Sequence, residues 1–393
     1  LGHPHLDWDL ATAARPQQIR NLFTRTVPVG IAFGTIGVLD DAGVMHEVTT
    51  FRRDVRTDGR HAEVEFGATL DEDLARRDYT INAIAYSPAK KVLADPYFGE
   101  RDLERKVLRA VGDPQERMRE DRLRALRGLR FAARFDFDIE PGTWSAITAS
   151  APHLGRLSAE RVKQELEKTM DQVERPSRAF GMWKSSGAFA TLIPELANLS
   201  ELDFAVLDKL CRPASEARPA RRVMRVIGLF ASVPHGSVPG VLKGLRFSNA
   251  DTAWISSIVA QWQALKGEMQ SLAEAEPSDA MLRRWAATAG RTRLASVLRL
   301  ASARWAAERD AGLNAPDAKR VRSVYRRAVR IAYRDPIEVG DLAINGRDLE
   351  KLGITGPAVG RTLRLLLETV INDPAANSHG DLRERAVNLK QQH

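Results

Sequence analysis

The hydrophobic period of this chain changes once, and that change decides what it can fold into. Residues 1–100 read as strands and turns, with strands expected at 6–11, 29–39, 46–51, 62–66 and 92–95 and a helix at 16–24. From about Asp102 onward the pattern is helical and stays so. Helices are expected at 119–135, 142–150, 158–171, 176–186, 203–211, 217–231, 251–274, 278–288, 291–309, 315–334 and 357–371. Prolines such as Pro141, Pro176, Pro219, Pro277, Pro316 and Pro336 punctuate them. No repeat with a period of about 20–50 residues is visible, which argues against a solenoid. The expected architecture is a small α/β head followed by an elongated all-helical remainder. Between Arg52 and His61 the polar run RRDVRTDGRH reads as a mobile loop.

The 393 residues leave room for about two to four domains with sizeable cores. A formal charge of +8, carried mostly by arginine, suits a polyanionic partner and equally suits plain solubility. The one cysteine, Cys211, excludes an internal disulfide framework and fits a reducing cytoplasm. No apolar run approaches a membrane span of about 18 residues, and no signal peptide is visible. The chain opens Leu1-Gly2-His3 without an initiator Met, so an N-terminal segment is expected to be missing.

Within the run REDRLRALRGLRFAARF (119–135), one helix would put Leu123, Leu126 and Leu129 on one arc. Asp121, Arg124 and Arg127 would fall on another, with the acid and the guanidinium one turn apart and able to act as a unit. Taken alone, Asp-x-x-Arg is the spacing of a solvated salt bridge worth well under about 1 kcal/mol. Arg130 projects towards the leucine arc, where it should be paired or reach for an anion.

Asp7-Trp8-Asp9 places two carboxylates at i and i+2, on the same face of a strand. Converging hard oxygens suit Mg²⁺, which takes one or two carboxylates and fills its other positions with water and phosphate oxygen. Glu47, on a neighbouring expected strand, is the candidate third acid. An isolated Asp-x-Asp is otherwise a solvent-exposed pair. In LARRDYTINA (74–83) two arginines could hold a triphosphate. Asp78 and Asn82 could take ribose hydroxyls or brace the loop, and a cluster of caps and salt bridges fits that spacing as well.

Together these stretches resemble the head and neck of the class II CCA-adding tRNA nucleotidyltransferases, within the DNA polymerase β-like superfamily. The matching runs are LDWDLATAA, VGIAFGTIGVL, HEVTTFR, LARRDYTINAIAYSP, ADPYFGERDLERKVLRAVGDP and the arginine-rich run above, in the family's order over about residues 6–135. HLGRLSAERVKQELEKTM (153–170) resembles the neck, and DLAINGRDLEKLGITGPAVGRTLRLLLE (341–368) the tRNA-binding tail. The resemblance implies an α/β nucleotidyltransferase head with a small mixed sheet and an all-α neck, body and tail. We divide these as residues 1–112 (head, N-terminally incomplete), 113–175, 176–310 and 311–393.

The resemblance makes Asp7 and Asp9 the catalytic, metal-binding carboxylates, with Glu47 added mainly from strand geometry. It places Arg77 in the nucleotide pocket, makes Asp121 and Arg124 the pair that reads the base, and matches Arg127 and Arg130 to further arginines of that helix. The glycine-pair motif that precedes the Asp-x-Asp strand in the family survives here only as Leu1-Gly2. The implied reaction is template-independent addition of CMP and AMP to the tRNA 3′ end from CTP and ATP, by two-metal transfer on Mg²⁺. Cytosine and adenine both offer an exocyclic amine beside a ring acceptor. A carboxylate with a guanidinium matches that edge, and a good bidentate contact discriminates by about 1–3 kcal/mol.

Arg283, Arg284, Arg291, Arg293, Arg299, Arg304, Arg309 and the run Lys319 to Arg334 give basic helices that could follow an RNA backbone, or be solvated faces. Gly353, Gly356, Gly360 and Arg361 could cradle a phosphate at a helix N-terminus, or form an ordinary helix–turn–helix connection. The histidines show no H-x-x-x-H or paired His-Asp pattern, so neither a zinc site nor an appended phosphohydrolase domain is expected. Rival readings are a poly(A) polymerase, an enzyme adding only C or only A, and a tRNA-binding chain impaired in catalysis. AFGTIGVL followed by EVTTFR, and the charged loop after it, favour full CCA addition.

Overall fold

The computed structural model describes residues 9–57, 62–210 and 220–391. The chain divides into two compact units, residues 1–173 with 178–197 and residues 174–177 with 198–393.

In the first unit, strands β1 (Asp9–Thr12), β2 (Thr26–Gly30), β3 (Thr35–Leu39) and β4 (Met45–Thr50) form a mixed sheet in the order β1-β4-β3-β2. β1 runs parallel to β4 and the other neighbours are antiparallel. Helix α1 (Pro16–Leu22) lays Ile19 against Ile36, Val38 and Val48, so alternate residues of β3 and β4 face a small core. The single strand expected at 29–39 is instead two strands, because the chain turns through Ile31–Phe33 and Gly34, whose φ is +80°.

The run expected as a mobile loop begins as strand β5 (Arg52–Thr57), paired antiparallel with β6 (Ala62–Phe66). Arg53 meets Glu65 at 2.8 Å across this ribbon, so charges that read as loop-forming are cross-strand partners. Helix α2 (Leu70–Ala75) starts in a Thr69–Glu72 capping box. A short hairpin, β7 (Ala85–Ser87) and β8 (Val92–Ala94), and helix α3 (Gly99–Glu104) follow. Strands β9 (Val107–Leu108) and β10 (Asp138–Ile139) pair in parallel.

The helix expected at 119–135 is two helices, α4 (Pro114–Glu120) and α5 (Leu123–Phe135). Asp121 between them is extended, and its Oδ1 accepts the Leu123 N–H at 3.0 Å. An aspartate that bonds the backbone two residues on competes with the helix and ends it. Leu126, Leu129 and Ala132 bury the inner face of α5, which packs on α7. Helices α6 (Pro141–Ser150), α7 (Ala159–Gln172), α8 (Pro176–Ser185) and α9 (Ala188–Leu192) complete this region, with Phe180, Trp183 and Phe189 fully buried together.

The second unit is helical among its described residues. Its elements are α10 (Glu201–Lys209), α11 (Ala220–Phe230), α12 (Val238–Gly244), α13 (Asn249–Gln270), α14 (Asp279–Ala289), α15 (Leu294–Asp310), α16 (Ala318–Arg334), α17 (Gly346–Lys351), α18 (Pro357–Asn372) and α19 (His379–Gln391). Serine or aspartate caps the starts of α10, α13, α14 and α16. Leu349, Ile354, Leu366, Val370, Leu382 and Ala386 form the core of the last three helices. No helix among the described residues is long and apolar enough to cross a membrane.

Candidate nucleotide site

Between the first sheet, the loop after α2 and the start of α5 lies a cleft of about 510 Å³. Asp9, Arg52, Arg76, Arg77, Asp78, Asn82, Asp121, Leu123, Arg124, Arg127, Phe131 and Arg161 line it. Six arginines against three aspartates give the walls a cationic excess suited to a polyphosphate.

The loop carrying Arg76 to Asn82 is fixed before any ligand arrives. Asp73, fully buried, takes Arg76 at 2.8 Å and Arg77 at 3.3 Å. Asp78 takes Arg127 at 2.8 Å, the Asn82 amide at 2.9 Å and the Tyr79 N–H at 3.0 Å. Burial pushes the Asp78 carboxyl up, but the Arg127 charge and these hydrogen bonds outweigh it and hold the group below its ordinary value. Of the two uses expected for Asp78 and Asn82, the contacts are those of bracing the loop. Tyr79, whose phenol is raised first by burial and then by Asp78, donates to the Arg124 carbonyl at 2.6 Å and ties the loop to α5.

Asp121 and Arg124 both face the cleft, but their side chains do not pair with each other. Asp121 is held by Arg161 of α7 at 2.7 Å. Arg124 is held by Glu120 at 2.5 Å and by the carbonyls of Arg117 and Arg76 at 3.3 and 2.9 Å. The break at Asp121 separates the acid from the helix that carries the guanidinium, so each needs its own support. Arg130 departs from expectation. It lies outside the cleft, 3% exposed, bonded to Glu165 at 2.8 Å and Gln172 at 3.1 Å. On the leucine arc of α5 an unpaired cation would lose its hydration, so it is neutralised inside the neck instead.

Asp7 lies outside the described residues. Asp9 and Glu47 are register partners across the parallel β1–β4 ladder, so their side chains leave the same face of the sheet. Neither carboxylate has an ion-pair partner among the described residues. Two adjacent acids without a counter-charge form a donor set that fits a hard divalent cation. No group of three or more ligating side chains occurs among the described residues.

Gly353, Gly356 and Gly360 belong to the second unit. Gly353 (φ +76°) ends the turn after α17, Gly356 caps α18, and Gly360 and the exposed Arg361 lie within α18. Lys390 donates to the Leu352 carbonyl at 2.8 Å and packs against Gly353, which stitches the turn between α17 and α18 to α19.

Sequence reasoning assigned no role to Arg52, Arg161 or Glu120. Glu120 was findable, since it sits four residues before Arg124 in the favourable orientation. Arg161 was not, because only the tertiary packing of α7 on α5 brings it to Asp121. Arg77 Nε and Arg161 Nη1 are buried with no hydrogen-bond acceptor among the described residues, as donors awaiting an anionic or carbonyl ligand would be.

Residues 1–109 match the family described as the poly A polymerase head domain, and residues 136–199 the probable RNA and SrmB-binding site of polymerase A. A CCA-adding enzyme of Limosilactobacillus fermentum is 33% identical over 401 residues, covering 99% of this chain and 90% of that protein. That of Streptococcus mutans is 46% identical over 172 residues, 43% of this chain and 42% of that one. Among solved structures, the Bacillus stearothermophilus CCA-adding enzyme in complex with CTP superposes with a TM-score of 0.71 at 29% identity, covering 100% and 90% of the two chains. The Thermotoga maritima CCA-adding enzyme complexed with tRNA shares the fold, with a TM-score of 0.64 at 20% identity over 98% and 87% of the chains. Full-length similarity to one relative, joined to a mixed-sheet head and an arginine-walled cleft, makes this chain a nucleotidyltransferase of the CCA-adding enzyme family.

Proposed function

We propose that this chain builds and repairs the 3′-terminal CCA of tRNA, adding CMP and AMP from CTP and ATP without a nucleic-acid template and releasing pyrophosphate. The observation that carries the reading is the unused hydrogen-bonding capacity of Asp121 and Arg124 where they face the cleft. Each Asp121 oxygen accepts one bond, from Leu123 N–H and from Arg161, which leaves a lone pair on each. Arg124 commits three donors to Glu120 and two carbonyls, out of the five that a guanidinium carries. The acceptor on one residue and the donors on the other complement the amine and ring nitrogen of cytosine or adenine. Uracil and guanine present a carbonyl and a ring N–H there and leave these groups unpaired.

Members of this family use a divalent metal, and we assign Mg²⁺ to Asp9 and Glu47 together with Asp7. When bound, one ion would activate the RNA 3′-hydroxyl and polarise the α-phosphate, and a second would stabilise the departing pyrophosphate. The chain's own part is positioning and charge. Arg76 and Arg77, anchored on Asp73, and Arg127, anchored on Asp78, meet the triphosphate without reorganising. Arg52 adds a further cation to the cleft wall. In the tail, Gly353, Gly356, Gly360 and Arg361 are assigned to tRNA, and the protein works in the cytoplasm.

The deciding experiment incubates the chain with a tRNA ending at its discriminator base, Mg²⁺, and CTP and ATP singly and together, resolving products at single nucleotides. Two additions with CTP alone and a third once ATP joins are expected, with both lost in Asp9→Ala. Long A tails would make it a poly(A) polymerase, arrest after C or after A alone a partial enzyme, and tRNA bound but never extended a binding protein.

A further inference from the structure

Helix α16 carries seven basic residues and no acid between Ala318 and Arg334. Two of its arginines are consumed by the fold. Arg320 donates to the Leu272 and Ala273 carbonyls at 3.1 and 3.0 Å, and Arg327 to Asp279 at 2.6 Å and the Pro277 carbonyl at 2.8 Å. The other four, Arg322, Arg326, Arg330 and Arg334, are all exposed, and none has an ion pair or hydrogen bond among the described residues. They recur at i, i+4, i+8 and i+12, which makes a ladder of guanidinium groups rising about 6 Å per rung and drifting about 40° around the helix at each step.

Like charges at i, i+4 destabilise a helix, and this one repeats the arrangement three times without an interleaved acid. The cost is offset when an anion of matching repeat lies along the ladder. We propose that the outer face of α16 is a docking track for the sugar–phosphate backbone of RNA, one phosphate to each rung; the proposal rests on the tRNA substrate proposed above. A regular, slowly winding row of single charges matches a polymer with one charge per repeat. A membrane surface would require a free apolar face, but Val321, Val324, Ala328, Ile331 and Ala332 are buried in the second unit's core. Exposed Tyr333, one turn from Arg330, adds a ring on which an unpaired base can stack.

The test replaces all four rungs together (Arg322→Gln, Arg326→Gln, Arg330→Gln, Arg334→Gln) and measures tRNA binding across a salt series. Each lost phosphate contact removes about 0.7–0.9 from the slope of log K against log salt. The expected slope is therefore shallower by about 3, with affinity at least about tenfold weaker at 0.1 M salt. The matching set of four Arg→Lys changes should restore the slope, which separates charge from a folding defect. An unchanged slope and affinity in the Gln set would overturn the track, as would displacement of RNA by polyglutamate at equal charge concentration. An RNA duplex of arbitrary sequence separates this proposal from the previous one. Ladder-dependent duplex binding by a chain that extends no tRNA would sustain the track and remove the CCA reading. Extension of tRNA by a Gln set that binds duplex as the parent does would do the reverse.

Discussion

Arg161 of α7 donates from Nη2 to Asp121 Oδ2 at 2.7 Å, across 40 residues of sequence. The carboxylate proposed to face the base thus takes its orientation from α7 as well as from the start of the helix that carries Arg124. Its other oxygen is fixed by the Leu123 N–H. Removing Arg161 leaves one anchor and frees the carboxylate to rotate, so discrimination should suffer more than turnover. In Arg161→Ala the preference for CTP over UTP is expected to fall about tenfold, which is about 1.4 kcal/mol. Arg161→Lys should recover part of it. Competition assays with mixed nucleotides read this ratio directly, and a preference equal to the parent's would show that the Leu123 bond alone suffices.

Asp78 couples stability to pH. Its carboxyl sits lower in the folded chain than in the unfolded one, so its contribution is fully present above the unfolded value of about 3.9. That contribution is lost as pH falls through the lower folded value. Asp78→Asn gives up the Arg127 ion pair, a charged hydrogen bond worth about 1.5–3 kcal/mol. Urea unfolding should show that deficit at pH 7 and a shrinking one below about pH 4. A deficit independent of pH would mean that shape, not charge, holds the loop.

The Arg130–Glu165 pair makes a different prediction because both partners are almost fully enclosed. Lys168 approaches Glu165 only at 3.7 Å from a largely exposed position. Arg130→Met would strand the acid and is expected to cost about 3–5 kcal/mol. Arg130→Met combined with Glu165→Leu should regain most of it, since an apolar pair of similar volume needs no hydration. Denaturation midpoints of the three chains test the ordering. A loss of nucleotide selectivity out of proportion to the loss of folded protein would return Arg130 to the nucleotide site.

What could be read from the sequence follows the range of the forces involved. Long helices such as α7, α14, α16 and α18 carry their own period and caps, and their expected bounds hold to within about three residues. Short or polar helices such as α9 and α19 were missed because their burial depends on neighbours remote in sequence. Only Leu382 and Ala386 of α19 are buried, too few to show a period. At the site, Asp9, Arg77, Asp78, Asn82, Asp121, Arg124 and Arg127 were expected and do converge. The break at Asp121 turned on one side-chain bond to the backbone, which periodicity does not register. Arg130 shows the limit most clearly: residue type and helix face allowed an ion pair or an anion, and only the position of Glu165 decides.

Gly128 supplies a case in which local propensity and packing predict opposite signs. In a solvated helix, replacing glycine by alanine gains about 1 kcal/mol. Here a Cβ would fall 2.1 Å from Tyr79 Oη and 2.8 Å from its Cζ. Tyr79 has no room to yield, being fully buried, edge-on to Phe131 and bonded to the Arg124 carbonyl. Gly128→Ala is therefore expected to destabilise, by about 1–3 kcal/mol as overpacking does, and to loosen the loop that carries Arg77. Tyr79→Phe alone should cost about 1 kcal/mol for its hydrogen bond. In the double variant the nearest clash is gone while the Cζ contact remains, so the two losses should sum to more than the observed one. A double-mutant cycle from denaturant midpoints measures that coupling. Additive losses, or a stabilised Gly128→Ala, would mean that α5 and the Tyr79 loop do not approach as closely as the backbone requires.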